Sequence, residues 1–369
     1  MQKPLLLIPG PVPVASPVLE AMARPMFNHR GPEFAGLLAR LERRIKPVFG
    51  TSGDVVVLGS SGTGGLEAAV VSCFSPGDRV LSCPVGVFGK RLADIARTNG
   101  LNVEVLDTPL GSALDAFALR ARLQRDDAAE FKGILLTHNE TSTGVQNDMA
   151  AIAPVTREHG ALTIVDSVSG LGASPFEMDA WGFDVVITAS QKAFAAPPGV
   201  AIIAASERAW TAIESSKTPR FYFDLRKARE FAHKGQTPWT PPISIFRALD
   251  VALERYHAIG LEANFARHAS YASIVRDALE ALGFTIFSKP GAHSVTVVAA
   301  YPPEGVDAAE LLAKLREHYG VVLSGGQGEL TGKIVRFGTM GDLSEIELNG
   351  ALDAVERAVL EMMPVEVRF

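Results

Sequence analysis

Seven short apolar runs recur between residues 54 and 206: DVVVLG, DRVLSC, NVEVLD, KGILLTH, LTIVD, FDVVITAS and GVAIIAAS. Segments with helical spacing separate the first five, namely TGGLEAAVVSCF, GKRLADIARTNG, ALDAFALRARLQ and MAAIAPVTREHG. The centres of the runs, among them Val55–Leu58, Ile134–Leu136, Ile164–Val165 and Val185–Ile187, are continuously apolar rather than alternating. A strand without a polar face is buried on both sides, and intervening helices are what cover it. The pattern predicts an α/β fold, a mainly parallel seven-stranded sheet sandwiched by helices.

The flanking regions differ in kind. Residues 1–14 carry prolines and glycines that exclude a regular helix, and they read as an extended arm. Pro32–Phe49 opens on proline and then spaces its apolar residues as an amphipathic helix does. The alternation stops near Lys217, where KTPRFYFDLRK and GQTPWTPP are rich in proline and aromatic residues. A helical stretch over Ile243–Leu282 leads away from the sheet. From residue 284 the order strand, strand, helix, strand, strand, helix describes a small α+β unit. The chain has 369 residues, more than the ~250–300 at which single cores stop growing. The expected division is an arm at 1–14, a large domain at 15–255 and a small domain at 256–369 that takes in part of the N-terminal segment.

A formal net charge of −6 argues against nucleic acid or an anionic membrane as the main partner, since both need a basic face. The apolar run Leu5–Ile8 is stopped by Pro9, and no stretch approaches the ~20 apolar residues of a membrane span. A soluble, cytoplasmic protein is expected. Cys73 and Cys83 have neither C-x-x-C spacing nor a histidine at ligand distance, so neither a disulfide framework nor a metal site is expected.

Ligands of parallel α/β sheets bind beyond the carboxyl ends of the strands, and three features stand there. GSSGTGGLEAAV joins a strand to a helix and offers hydroxyls and backbone N–H groups to an anion. It lacks the dinucleotide and nucleoside-triphosphate glycine patterns, so a single phosphate fits it better. Taken alone it reads more readily as a capped strand–helix turn. Asp166 closes LTIVD, where an acid can also cap a helix or form a turn. Lys192 follows a strand within TASQKAFAAPPG, among small residues and prolines. A lysine in a dry site has a lowered pKa and becomes a nucleophile able to form a Schiff base, unless it snorkels to the surface. A fourth feature, Arg336 in GKIVRFG, places a planar carboxylate-binding fork in an apolar strand of the small domain. Together a phosphate cradle, an acid, a lysine and an arginine are the parts that pyridoxal-phosphate chemistry needs.

THNETSTGV, IVDSVSGLGA and SQKAFAAPPG, in that order and spacing, resemble the class V (fold-type I) aminotransferases, in particular the alanine–glyoxylate and serine–pyruvate group. The likeness runs over nearly the whole chain. It implies pyridoxal 5'-phosphate as cofactor, with Lys192 as the Schiff-base lysine and Asp166 paired with the pyridine nitrogen. It implies that Val168 packs on one ring face and Phe88 on the other, where many relatives have tryptophan. Ser61, Gly62 and Thr63 match the phosphate turn, although some relatives carry histidine at the position of Thr63. Thr141 matches a hydroxyl near the ring's phenolic oxygen, Gln191 a phosphate-binding glutamine, and Arg336 the arginine for the substrate carboxylate. The resemblance further implies a homodimer in which GQTPWTPP reaches the neighbouring phosphate, through Thr240 or else Gln236 or Thr237. PGPVPV resembles an arm over the active site, and FNHRGPEF a segment near the substrate pocket. His29 and Arg30 therefore either read the substrate or cap the helix that starts at Pro32.

The activity expected is a ping-pong transfer of an amino group from alanine or serine to glyoxylate or pyruvate. Other fold-type I enzymes, such as phosphonate or phosphoserine aminotransferases and lyases, are the alternatives. A cysteine desulfurase is disfavoured because VVLSGGQGELTG contains no cysteine. A nicotinamide enzyme lacks its glycine fingerprint, and a non-catalytic binding protein would leave Lys192, Asp166 and Arg336 without a task.

Overall fold

The computed structural model describes residues 4–126 and 130–363. Its large sheet contains β1 (Asp54–Leu58), β2 (Arg79–Ser82), β3 (Asn102–Val105), β4 (Phe131–Thr137), β5 (Leu162–Asp166), β6 (Val185–Ala189) and β7 (Ala201–Ala205), in the order β1-β7-β6-β5-β4-β2-β3. β7 is antiparallel to both of its neighbours, and the remaining pairs are parallel.

The continuous apolar runs are explained by the two faces of this sheet. Val55, Val186 and Ile202 enter one core, with the helices Pro32–Phe49 and Ile243–Ile259. Their chain neighbours Val56, Ile187 and Ile203 enter the other, with the helix Gly62–Cys73 and with Trp210 and Ile213. Successive side chains of a strand point to opposite faces, so a sheet covered on both faces makes every position apolar. Each such side chain adds roughly 1.5–3 kcal/mol when fully buried.

The helix Pro32–Phe49 begins on Pro32 and ends against Gly50, which is left-handed with φ 62°. The expected stretch Ile243–Leu282 is two helices, Ile243–Ile259 and Leu261–Ala281. Gly260 separates them with φ 93° and ψ 151°, a conformation that only glycine adopts readily. A further helix, Leu225–His233, begins inside the first proline- and aromatic-rich segment, where Asp224 caps its first turn, and ends before the second.

A second sheet contains β8 (Thr285–Ile286), β9 (Val297–Tyr301), β10 (Ser324–Gly325) and β11 (Val335–Gly338), in the antiparallel order β8-β9-β11-β10. Leu311, Leu315, Phe337, Leu348 and Val355 form its core. Leu7 of the N-terminal arm belongs to the same core. Leu5–Leu6 pairs in parallel with Val321–Val322, and Gly338 N donates to the Leu7 carbonyl at 2.7 Å. The arm is thus fastened to the small sheet before it crosses to the large one.

Candidate active site

The carboxyl ends of β1, β2, β4, β5 and β6 face one cavity of about 200 Å³. Ser61, Gly62, Thr63, Phe88, Thr141, Asp166, Val168, Gln191 and Lys192 all line it. Residues separated by 131 positions in the chain are gathered because successive parallel strands end at the same edge of the sheet.

After β1, Ser61 caps the helix Gly62–Cys73, its side chain accepting from Gly64 N at 3.3 Å. The first N–H groups of a helix have no partner within it, so those of Gly62 and Thr63 are available to an anion. Gly62 is close to Val168: a Cβ there would stand 3.0 Å from Val168 Cγ2.

Asp166 is 4% exposed, and its carboxylate accepts from Val168 N at 3.0 Å. Burial pushes this carboxyl up to about 7. A buried carboxylate is stable as an anion only with a cation or several donors, so Asp166 suits a protonated ring nitrogen. Burial of the Lys192 ammonium brings it down to about 8, against the opposing pull of Asp166. Lys192 Nζ donates to the Pro9 carbonyl at 2.6 Å. The adjacent Gly10 has φ 127°, and a Cβ on it would lie 2.6 Å from Nζ. The arm therefore covers the lysine with backbone alone.

Arg336, on β11, is 6% exposed. Its Nε donates to the Gly325 carbonyl at 2.7 Å and its Nη1 to the Thr141 carbonyl at 3.0 Å. Nη2 has no hydrogen-bond partner among the described residues, which leaves one end of the fork to a ligand carboxylate. The arginine spans from the small sheet to the rim of the cavity. The donors, the buried acid and the amine fit pyridoxal phosphate. Gln191 lines the same cavity, and its amide N–H₂ is the end of the group that can donate to a phosphate.

Other residues singled out in the sequence are not brought to this cavity. Thr240 is exposed. Arg30 donates to Gln236 Oε1 at 2.9 Å and to the Thr237 carbonyl at 2.6 Å, so it holds the Gln236–Pro238 segment. Neither Arg30 nor His29 caps the helix at Pro32, whose N-cap is Gly31 with no side-chain cap. His29 is half-buried.

Arg91, Asn139 and Ser169, none of them a candidate from the sequence, also line the cavity. Arg91 lies 4.6 Å over the Phe88 ring, one helical turn away, and its Nη1 donates to Thr63 Oγ1 at 3.4 Å. That turn of spacing was the available signal. Asn139 Nδ2 donates to Ser169 Oγ at 2.9 Å and Thr141 Oγ1 to the same oxygen at 3.0 Å. Nothing in the local sequence marks those contacts.

The chain matches the family model described as aminotransferase class-V over residues 19–337. It is 37% identical to the L-aspartate–glyoxylate aminotransferase of Paracoccus denitrificans, covering 98% of this chain and 93% of that protein. It is 35% identical to the serine–glyoxylate aminotransferase of Arabidopsis thaliana, covering 95% and 89%. A protein of Anabaena cylindrica named as a soluble hydrogenase 42 kDa subunit is 37% identical, covering 98% and 94%. Among solved structures, the alanine–glyoxylate aminotransferase of Nostoc sp. superposes with a TM-score of 0.93 at 28% identity, covering 97% and 96%. With a cavity of this composition at the carboxyl edge of such a sheet, and with these matches over nearly its full length, the chain belongs to the class V aminotransferases, with the fold-type I architecture.

Proposed function

We propose that this aminotransferase binds pyridoxal 5'-phosphate in the cavity around Lys192 and moves an amino group from a small amino acid, alanine or serine, to glyoxylate or pyruvate. The observation that carries the reading is the pairing of Asp166 and Lys192 in one buried cavity, an acid raised and an amine lowered by the same loss of water. The names of the relatives favour glyoxylate as acceptor. They divide over the donor, one being an aspartate and another a serine enzyme.

When bound, the cofactor supplies an aldehyde for the donor's amine and a ring that draws electrons from its α-carbon. Asp166 holds the ring nitrogen in its charged form. Ser61, Gly62, Thr63 and Gln191 hold the phosphate, and Phe88 and Val168 confine the ring. Thr141 contributes its hydroxyl beside the ring. Arg336 fixes the substrate carboxylate and so orients the Cα–H bond. Lys192, with its lowered pKa, takes that proton and returns it. His29 is assigned to the approach to the substrate pocket, and Arg30 acts through the segment it holds. We further assign the active unit to a homodimer in which Thr240, or else Gln236 or Thr237, reaches the partner's phosphate. A cytoplasmic location suits two free, buried cysteines. None of the described helices is long and apolar enough to cross a membrane.

Lys192→Ala tests the reading. Turnover should fall by at least about 10²–10⁴-fold, while pyridoxal phosphate still binds through the phosphate and ring contacts. Full turnover in the variant would overturn it.

A further inference from the structure

Glu140 lies outside the cavity, and the functional reading above gives it no task. It is completely buried, the second residue of the short strand Asn139–Glu140 that follows β4. Its carboxylate accepts from Phe88 N at 3.1 and 3.2 Å, from Gly89 N at 3.0 Å, and from Ser142 N and Oγ at 3.1 and 2.6 Å. Ser142 Oγ in turn accepts from Val87 N at 3.0 Å. The first three N–H groups of the helix Val87–Thr98 are therefore satisfied by the strand Asn139–Glu140 and the turn that follows it.

The helix has no cap of its own, since its N-cap is Gly86. That glycine is what admits Glu140: a Cβ at position 86 would lie 2.5 Å from Glu140 Cγ and 2.6 Å from Ser142 Oγ. A carboxylate at a helix N-terminus also meets the positive end of the helix dipole. The helix end so fixed carries Phe88, whose ring lines the cavity. On its other side, Glu140 adjoins Thr141, whose carbonyl receives Arg336 Nη1. The surrounding charged groups are Asp166 and Arg336, both of which feel the Glu140 charge, with Lys192 and Arg91 next to Asp166.

We propose that Glu140 is a positioning residue for the transamination site: its buried carboxylate fixes the Phe88 ring against the cofactor and, through Thr141, sets the register of the Arg336 fork. This rests on the functional reading above. Failure of that reading would show as absence of a visible cofactor band in the wild-type protein, whereas failure of this proposal shows only in the variants.

The test uses the cofactor-loaded protein and its Glu140→Gln variant, read by visible circular dichroism, by pH titration of the visible band, and by KM and kcat. Gln keeps the size but replaces one acceptor with a donor that faces the Phe88 and Gly89 N–H groups. The cofactor dichroism should weaken. The KM for the amino donor should rise by about tenfold, the scale of a buried hydrogen bond left unmade. The titration midpoint should fall, because loss of a nearby negative charge disfavours the protonated form. Glu140→Asp keeps the charge and shortens the reach, so it should weaken the dichroism and raise KM while leaving the midpoint in place. A Glu140→Gln protein with the wild-type midpoint and KM overturns the proposal. If Glu140→Gln does not fold, wild-type dichroism and KM in Glu140→Asp overturn it.

Discussion

Single residues carry the chemistry here because water is kept from them. Asp166 at 4% exposure, with one backbone N–H on its carboxylate, is a poorly compensated acid until a cation joins it. Its carboxyl rises from 3.8 to about 7 on burial. The folded chain thus keeps a proton that the unfolded chain releases, and the stability this contributes is full below about 3.8 and lost as pH rises through about 7. Cofactor-free Asp166→Asn should therefore melt several degrees above cofactor-free wild type at pH 8, with the gap closing toward pH 4. Thermal melts across that range check it, and a gap independent of pH would contradict it. With pyridoxal phosphate present the order should reverse, because asparagine cannot neutralise the ring nitrogen. At this scale the sequence was informative where a residue type is out of place, such as Lys192 among alanines and prolines. It was silent where function lies in a contact made across the fold. Asn139 and Thr141 on Ser169, and Glu140 against Gly86, are invisible until the strands bring them together.

Secondary elements act by aiming these residues at one edge. The strands could be read from their apolar runs because both faces are buried, and the proline that opens the helix at Pro32 marked its start. Gly260 was harder to read. The sequence on both sides has helical spacing, and one glycine within it is as compatible with a continuous helix as with a break. Its φ of 93° and ψ of 151° decide the matter. Gly260→Ala should cost about 1–3 kcal/mol of stability, since no neighbouring atom crowds the new Cβ and only the backbone is strained. Urea denaturation measures this. An alanine variant as stable as wild type would mean that the two helices can fuse at little expense. The arm is an element in the same sense: hydrogen bonds to the small sheet hold it on one side, and on the other its Pro9 carbonyl meets Lys192.

At the scale of the whole molecule, the strand ends and the arm of one chain line the cavity, and Thr240, which is exposed, is not part of that lining. The resemblance to the family implies that Thr240, or else Gln236 or Thr237, reaches a neighbour's phosphate. Thr240→Ala should weaken pyridoxal-phosphate binding by about tenfold, the scale of a lost charged hydrogen bond, although Thr240 touches nothing in its own cavity. Equilibrium dialysis of the cofactor reads this directly, and unchanged affinity would separate Thr240 from any phosphate. Donor identity depends on the space left around Arg336, and sequence spacing does not encode that space. The most direct test of the account is the visible absorption spectrum of the purified protein with pyridoxal phosphate, recorded before and after L-alanine, L-serine or L-aspartate and again after glyoxylate. The expected result is a yellow band that one of these donors bleaches and glyoxylate restores. A protein that shows no band with added pyridoxal phosphate would contradict the assignment of Lys192 and, with it, the proposed activity.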